Sequence, residues 1–503
     1  MKKIYLFLAV IILFGLLFSS CNGKDEDHNK NPIPKEAQNI DADDESLNEK
    51  NEPATEKILP NVPDDKNFGG YEFTVLGNST EYNPYWYSKD IYVEEETGDT
   101  IQDAVYYRNR AIEEKYNIAI KGIFKGNQYN EAKKSISSGD NTYDMFTVPL
   151  QGATAQLAQD GLLMDLTKAP YIDLEKPWWD HRANEQLSIG HKLMFTISDL
   201  LIIDKDALFI FLFNKDVIQE QGLEDPYKLV REGNWTIDKM WDMAKDMPKD
   251  VNGDGKMDDK DAYRLLTANH TIHGNVVGSG HFVITKDEND MPVLNITDPV
   301  ILASYEKWIN INTDSDNTWV ANDPKWNSKY ADIWMYQLEV LSEKRGLWLY
   351  AGMDRVTTLR TFDFNFGILP NPKLDNSQKD YFNHVHAWCT TAISIPVTSD
   401  PERTGMILEA LTAESYYTLR PAYYEVSLKT KFLRDDESEE MLDLIFDTRC
   451  YDLGHVYNWG GVFDMFSSLP QQKNNNFVSA YEKILSKIEK DMNKAIENFL
   501  ENE

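Results

Sequence analysis

The chain has 503 residues, with 83 Asp and Glu against 51 Lys and Arg, for a formal net charge of −32. That balance excludes nucleic acid and polyanions as partners, because phosphate binding needs clustered Lys and Arg, and leaves neutral or cationic ligands. With 12 Trp, 26 Tyr and 22 Phe there is enough apolar surface for two or three cores, at roughly 150–200 residues per domain.

The chain opens with Lys2 and Lys3, then an apolar run over residues 4–18 that is too short and wrongly flanked for a stable span. Residues 1–20 are therefore expected to be a secretory signal peptide. The "LFSSC" that ends at Cys21 resembles a bacterial lipobox, in which the cysteine is lipidated, although Phe18 stands where an aliphatic residue is usual. Residues 21–66 are rich in Asp, Glu, Asn, Lys and Pro and poor in aromatic residues, so they cannot offset their ordering entropy by burial. Lipidated Cys21 on an acidic leash predicts a protein anchored to a membrane without spanning it.

The folded composition starts at Asn67. "GGYEFTVLG" alternates like a strand, "DTIQDAVYYRNRAIEEKYNIAIKG" reads as a helix and a second strand, and "GDNTYDMFTVPL" gives a third. Strands alternating with helices predict an α/β layer with a mainly parallel sheet. The apolar run over residues 206–218 suits a strand buried on both faces. Thr236 is a plausible helix N-cap, "HFVITKDENDMPVLNI" reads as a hairpin, and "DPVILASYEKWINI" reads as a helix with Pro299 in its first turn. The closing stretch is an amphipathic helix, with Phe477, Tyr481, Leu485, Ile488, Met492, Ala495 and Phe499 on one face. Packing on its own domain is the expected role of that face. Cys389 and Cys450 are either a pair or two separate buried thiols, since neither has metal-type spacing around it.

"DVNGDGKMDDKD" has the spacing of a calcium loop. Oxygen ligands fall at loop positions 1, 3, 5, 9 and 12, which are Asp250, Asn252, Asp254, Asp258 and Asp261, and Lys256 offers its backbone carbonyl. Gly255 stands at the sharp turn. A single loop of this kind predicts a structural Ca2+ clip, and Asp261 in place of the usual Glu shortens the reach of the last ligand.

Several longer runs, "YRNRAIEEKYNI", "FNKDVIQEQGLEDPYKLVREGNWTIDKM", "DFNFGILPNPK" and "RTGMILEALTAESYYTLRPAYYEVSLKTKFLRDDESEEMLDLIFDTRCYDLG", resemble one family in order and spacing. They look like the extracellular solute-binding lipoproteins of ATP-binding-cassette importers in Gram-positive bacteria, in the sugar-binding branch that includes maltose-binding protein. The resemblance implies an α/β, two-lobed periplasmic-binding-protein-like fold with hinge segments and a ligand cleft between the lobes. It places lobe I at 67–210 and 367–425 and lobe II at 211–366 and 426–503, with the strand at residues 366–373 marking the return to lobe I. It also implies a sugar or oligosaccharide ligand, permease subunits as partners, and a monomer on the extracellular face of the membrane.

Sugars need aromatic faces for their C–H patches and polar groups for their hydroxyls. Loops offering both supply Tyr82, Trp86, Gln151, Trp178, Trp179, Asp180, His270, His273, Trp348, Tyr350, Tyr457 and Trp459. Trp459 is the foremost candidate, because Gly460 and Gly461 would let a ligand approach the backbone. Core packing is the alternative for each tryptophan. His270 and His273 have metal-pair spacing, but Gly274 and β-branched neighbours argue against a helix there and no third ligand is adjacent. No catalytic motif focuses an enzyme reading. The alternatives left open are a peptide- or other-solute-binding receptor of the same shape and, beyond that, a surface glycan-binding or glycan-hydrolysing lipoprotein.

Overall fold

The computed structural model describes residues 57–326, 328–428 and 436–501. The expected signal peptide, Cys21 and most of the leash lie outside the described residues. One compact unit begins at Ile58, so residues 58–66 of the expected linker belong to it. Tyr417 Oη donates to the Ile58 carbonyl at 3.0 Å, and Val62 packs against the core.

β1 (Tyr71–Asn78), β2 (Ile118–Lys125) and β3 (Met145–Pro149) begin the first lobe, with β1 parallel to both of the others. The helix Thr100–Tyr116 joins β1 to β2. Asp99 caps it by accepting from the Ile101 and Gln102 N–H groups, and Asn117 ends it in the left-handed conformation.

β4 (Phe209–Asn214) opens the second lobe, and every one of its residues is buried, which is why the run reads as continuously apolar. β5 (Tyr263–Thr267), the hairpin of β6 (Ile284–Lys286) and β7 (Pro292–Leu294), β8 (Thr318–Val320), β9 (Gly346–Gly352) and β10 (Phe366–Leu369) follow. The second sheet has the order β10-β4-β9-β5-β8. β11 (Asn383–His384) leads back to β12 (Thr391–Ser394), which closes the first sheet in the order β12-β3-β1-β2, and β13 (Arg449–Cys450) comes last.

The first three strands form the expected parallel layer, and antiparallel strands are added at its edge and in the second sheet. β12 runs antiparallel to β3, and β4 runs antiparallel to β9 and β10. Strands joined by helical crossovers come out parallel, whereas β4, β10 and β12 adjoin the connections between lobes.

Three chain segments lie side by side at that junction. Leu208 bridges Val385 and Thr196 bridges Ile393, both antiparallel, and the His386 N–H donates to the Ala207 carbonyl at 2.9 Å. β13 runs parallel to β11, with Asn383 opposite Arg449 and His384 opposite Cys450. These paired segments are the hinge. Cys389 and Cys450 are both buried and free.

The closing helix, Phe477–Glu501, buries Phe477, Ile488, Ala495 and Phe499 against its own fold, as its periodicity predicts. No helix among the described residues is long and apolar enough to cross a membrane.

Candidate functional site

The seam between the lobes is built from the loop after β1, the hinge, and two helix starts of the second lobe. Asp90 fixes the loop to the hinge, its carboxylate accepting from the Ile202 and Ile203 N–H groups at 2.8 and 3.3 Å. From that loop Tyr85 donates its hydroxyl to Asp332, which also caps the helix Ile333–Ser342 through the Trp334 and Met335 N–H groups. The Arg355 guanidinium lies 4.8 Å from the Tyr85 ring centre. Burial and the hydrogen bond to Asp332 push the Tyr85 hydroxyl up to about 12.

Beside it, Trp86 is almost fully buried and its ring reaches the backbone of Gly352, where a Cβ would stand 3.2 Å from the indole. Lys89 pairs with Asp206 at 2.5 Å. Asp354 is pushed up to about 7 by burial, and its neighbour Asp206 adds to the shift against the pull of Arg355 and Lys89. Tyr82 and Trp388 approach with ring centres 5.9 Å apart, and Trp388 is 40% exposed. The Gln151 backbone N–H donates to the Ala387 carbonyl at 2.9 Å, next to Trp388. Trp334 meets His270 edge-on at 5.7 Å. The seam thus presents aromatic rings, carboxylates and cations drawn from both lobes.

Of the residues expected at a ligand site, Tyr82, Trp86, Gln151 and His270 come to this seam. Sequence reasoning passed over Tyr85, Lys89, Asp332, Trp334, Asp354, Arg355 and Trp388. Tyr85 and Lys89 could have been found, since they share the "YNPYWYSKD" loop with Tyr82 and Trp86.

The other expected ligand contacts are packing residues in this structure. Trp178 and Trp179 donate their indole N–H groups to the two oxygens of buried Glu409, each at 3.0 Å. Asp180 caps the helix His181–Leu187 and accepts from Arg449 Nε at 2.5 Å and Tyr451 Oη at 3.0 Å. Trp348 lies inside the second sheet with its indole N–H on the Met240 carbonyl at 2.9 Å. Tyr457 stacks on Trp459 at 4.6 Å, and the Trp459 indole donates to Gln159 at 3.0 Å. Gly460 does permit a close backbone approach, but the terminal helix makes it: a Cβ there would stand 2.6 Å from the Ile488 nitrogen.

Behind the seam, five histidines gather. The stretch expected to be non-helical is helical, with a 3-10 turn at Asn269–Thr271 running into the helix Ile272–Val277, so the β-branched neighbours were overridden by tertiary burial. That helix sets buried His273 against His384 and His455 of the hinge, and His386 in turn packs against His455. Both ring nitrogens of His273 and His386 are without hydrogen-bond partners, as are His384 Nδ1 and His455 Nε2. Such unpaired buried groups cost on the order of 1–3 kcal/mol each. Burial holds His270 down to about 4, and burial together with His386 holds His273 down to about 3, so these imidazoles stay neutral.

The acidic loop folds on itself. Asp250 accepts from the N–H groups of Gly253 and Gly255 at 2.6 and 2.7 Å, and Asp261 accepts from those of Val251 and Asp258 at 2.9 and 2.7 Å. Gly253 and Gly255 both take positive φ. Asn252 Nδ2 lies 3.4 Å from Asp258 Oδ1, and Asp254 accepts from the Lys256 N–H at 2.9 Å.

No family model matches the chain, and no curated protein matches it. Solved structures do match along most of its length. An ABC substrate-binding protein of Listeria monocytogenes, in complex with cycloalternan, superposes with TM-score 0.53 at 12% identity, covering 84% of this chain and 99% of its own. The apo form of RafE from Streptococcus pneumoniae gives TM-score 0.53 at 14% identity, over 84% of this chain and 98% of its own. UgpB from Mycobacterium tuberculosis, in complex with glycerophosphocholine, gives TM-score 0.53 at 14% identity, over 85% and 99%. The chain has the two-lobed α/β fold of the ABC substrate-binding proteins.

Proposed function

We propose that the chain is the binding protein of an ATP-binding-cassette importer, holding a sugar or oligosaccharide between its lobes and delivering it to permease subunits. The observation that carries this reading is the composition of the seam. Rings from Tyr82, Tyr85, Trp334 and Trp388 offer faces to sugar C–H groups, while Asp332 and Asp354 offer hydroxyl partners. Because the two lobes contribute opposite sides, ligand would favour the closed arrangement, as hinge-closing proteins require.

The structures of similar fold divide on ligand chemistry, one being in complex with cycloalternan and another with glycerophosphocholine. The seam favours the sugar. Arg355 lies against Tyr85 and 3.4 Å from Asp354, and Lys89 is paired with Asp206, so its cations are already matched by carboxylates. An anionic ligand would have to displace them. A peptide- or other-solute-binding receptor of the same fold is the second reading.

The protein acts as a monomer on the extracellular face of the membrane, tethered through lipid on Cys21, and returns its ligand unchanged. The loop over residues 250–261 holds a structural Ca2+. Its side-chain oxygens come from Asp250, Asn252, Asp254, Asp258 and Asp261, with the Lys256 carbonyl, a hard-oxygen set suited to that ion. A bound Ca2+ neutralises the crowded carboxylates there and pins the surface of the second lobe.

A thermal-shift panel of oligosaccharides, short peptides and glycerophosphodiesters tests the reading, since a ligand raises stability by mass action. One sugar class should shift the melting temperature and be recovered intact. A hydrolysis product in the recovered solution would replace this reading with a glycan-hydrolysing role.

A further inference from the structure

We propose that His273, His384 and His455 form a metal site of the zinc class that ties the hinge to the second lobe. This goes beyond sugar binding, and none of the three residues is needed for the seam contacts above. One ligand nitrogen from each ring lies within 4.8 Å of the other two, and all three side chains are buried. His455 Nδ1 and His384 Nε2 stand 3.3 Å apart. Two nitrogens bound at about 2.0–2.1 Å to one tetrahedral ion must be separated by about 3.3 Å.

The surroundings are those of a closed site. Phe463 stacks on the His455 ring at 3.8 Å, and Phe466 meets His273 edge-on at 5.2 Å, so an ion would sit in an apolar shell. Gly274 clears the approach, since a Cβ there would stand 3.1 Å from His384 Nδ1. Asp452 Oδ2 lies 3.7 Å from His273 Nε2 and is held in place by the Val283 N–H at 2.6 Å. A carboxylate behind a ligating imidazole orients the ring and raises its basicity. His386 packs against the His455 ring with centres 4.4 Å apart and lies outside this three-nitrogen cluster, which leaves the fourth position of a tetrahedral ion to water.

A hydrogen-bonded core explains the cluster less well. The His384–His455 contact satisfies one nitrogen of each ring, and both nitrogens of His273 are left without partners. Imidazole ligands select borderline ions such as Zn2+ over Ca2+, so the site would not compete with the acidic loop. His384 belongs to β11, His455 to the helix Leu453–Tyr457 after β13, and His273 to the second lobe. An ion bound to all three would make the hinge segments and the second lobe one body and leave the first lobe to swing.

The test uses the full chain, stripped with a chelator and then dialysed against Zn2+ or, as a spectroscopic probe, Co2+. The proposal expects about one zinc per chain by elemental mass spectrometry, a raised melting temperature, and the intense visible bands of tetrahedral Co2+. His273→Asn and His455→Asn should abolish all three, whereas Asp250→Asn should leave them intact. Wild-type protein that keeps no zinc and gives no tetrahedral spectrum overturns the proposal, as does undiminished binding in the histidine variants. Should those variants misfold, the wild-type Co2+ spectrum and zinc stoichiometry decide the matter alone.

Discussion

Tyr85 of the first lobe donates its hydroxyl to Asp332 of the second, so one hydrogen bond to a carboxylate spans the seam. The same carboxylate caps the helix beginning at Ile333, which fixes where the bond can form. Opening the seam must break this tie and strip Arg355 from the Tyr85 ring. Tyr85→Phe removes the bond and keeps the ring, and should cost the closed arrangement about 1 kcal/mol. We expect a larger radius of gyration by small-angle scattering and a several-fold weaker apparent affinity. Scattering identical to that of the parent protein would show that the tie does not hold the lobes.

Gly460 gives a test of packing that is independent of ligand. It has φ +63°, and a Cβ would press on the backbone of Ile488 in the terminal helix. Gly460→Ala should destabilise the fold by about 2–4 kcal/mol through overpacking and backbone strain, as read by denaturant unfolding. Ligand affinity at low temperature should be unchanged. A loss of affinity without a loss of stability would return Trp459 and its neighbours to the ligand site.

Glu409 supplies a pH signature. Burial pushes it up to about 7, against the hydrogen bonds from Trp179 and Trp178. A carboxyl raised above its unfolded value stabilises fully below about pH 4.5 and loses that contribution as pH rises through 7, about 3 kcal/mol in all. Glu409→Gln cannot titrate. The stability advantage of the parent over Glu409→Gln should therefore be larger at pH 5 than at pH 8, and an advantage independent of pH would contradict the assignment.

For the acidic loop, adding Ca2+ to chelated protein should raise the melting temperature, by an amount equivalent to about 2.7 kcal/mol at a hundredfold excess over Kd. Asp250→Ala should abolish that response, because this one carboxylate holds the N–H groups of Gly253 and Gly255 as well as the first ligand position. A response that survives the substitution places the ion elsewhere.

Much of the fold was legible because local chemistry and long-range packing agree. The continuously apolar β4, the Thr236 cap on the helix Ile237–Met243, the β6–β7 hairpin and Pro299 at a helix start all follow from propensity and periodicity. The site was less legible. Trp348 stands in a strand whose residues are buried throughout, so its alternation shows no ligand-facing side. Trp178 and Trp179 meet Glu409 only in the folded chain. The histidine cluster needed the fold as well, because His273 reaches its partners across the hinge. The local trace was "HVH", which puts His384 and His386 on one face of an extended segment. Asp332 and Arg355 look like ordinary helix-start charges until the loop after β1 closes on them.

Trp388, 40% exposed, is the ring the seam offers most openly to a sugar. Titration of the parent protein and Trp388→Ala with the oligosaccharide that shifts the melting temperature, followed by calorimetry, tests this most directly. The parent should bind saturably at one site and the variant at least about tenfold more weakly, a loss of about 1.4 kcal/mol. Equal affinity in the two proteins would contradict it.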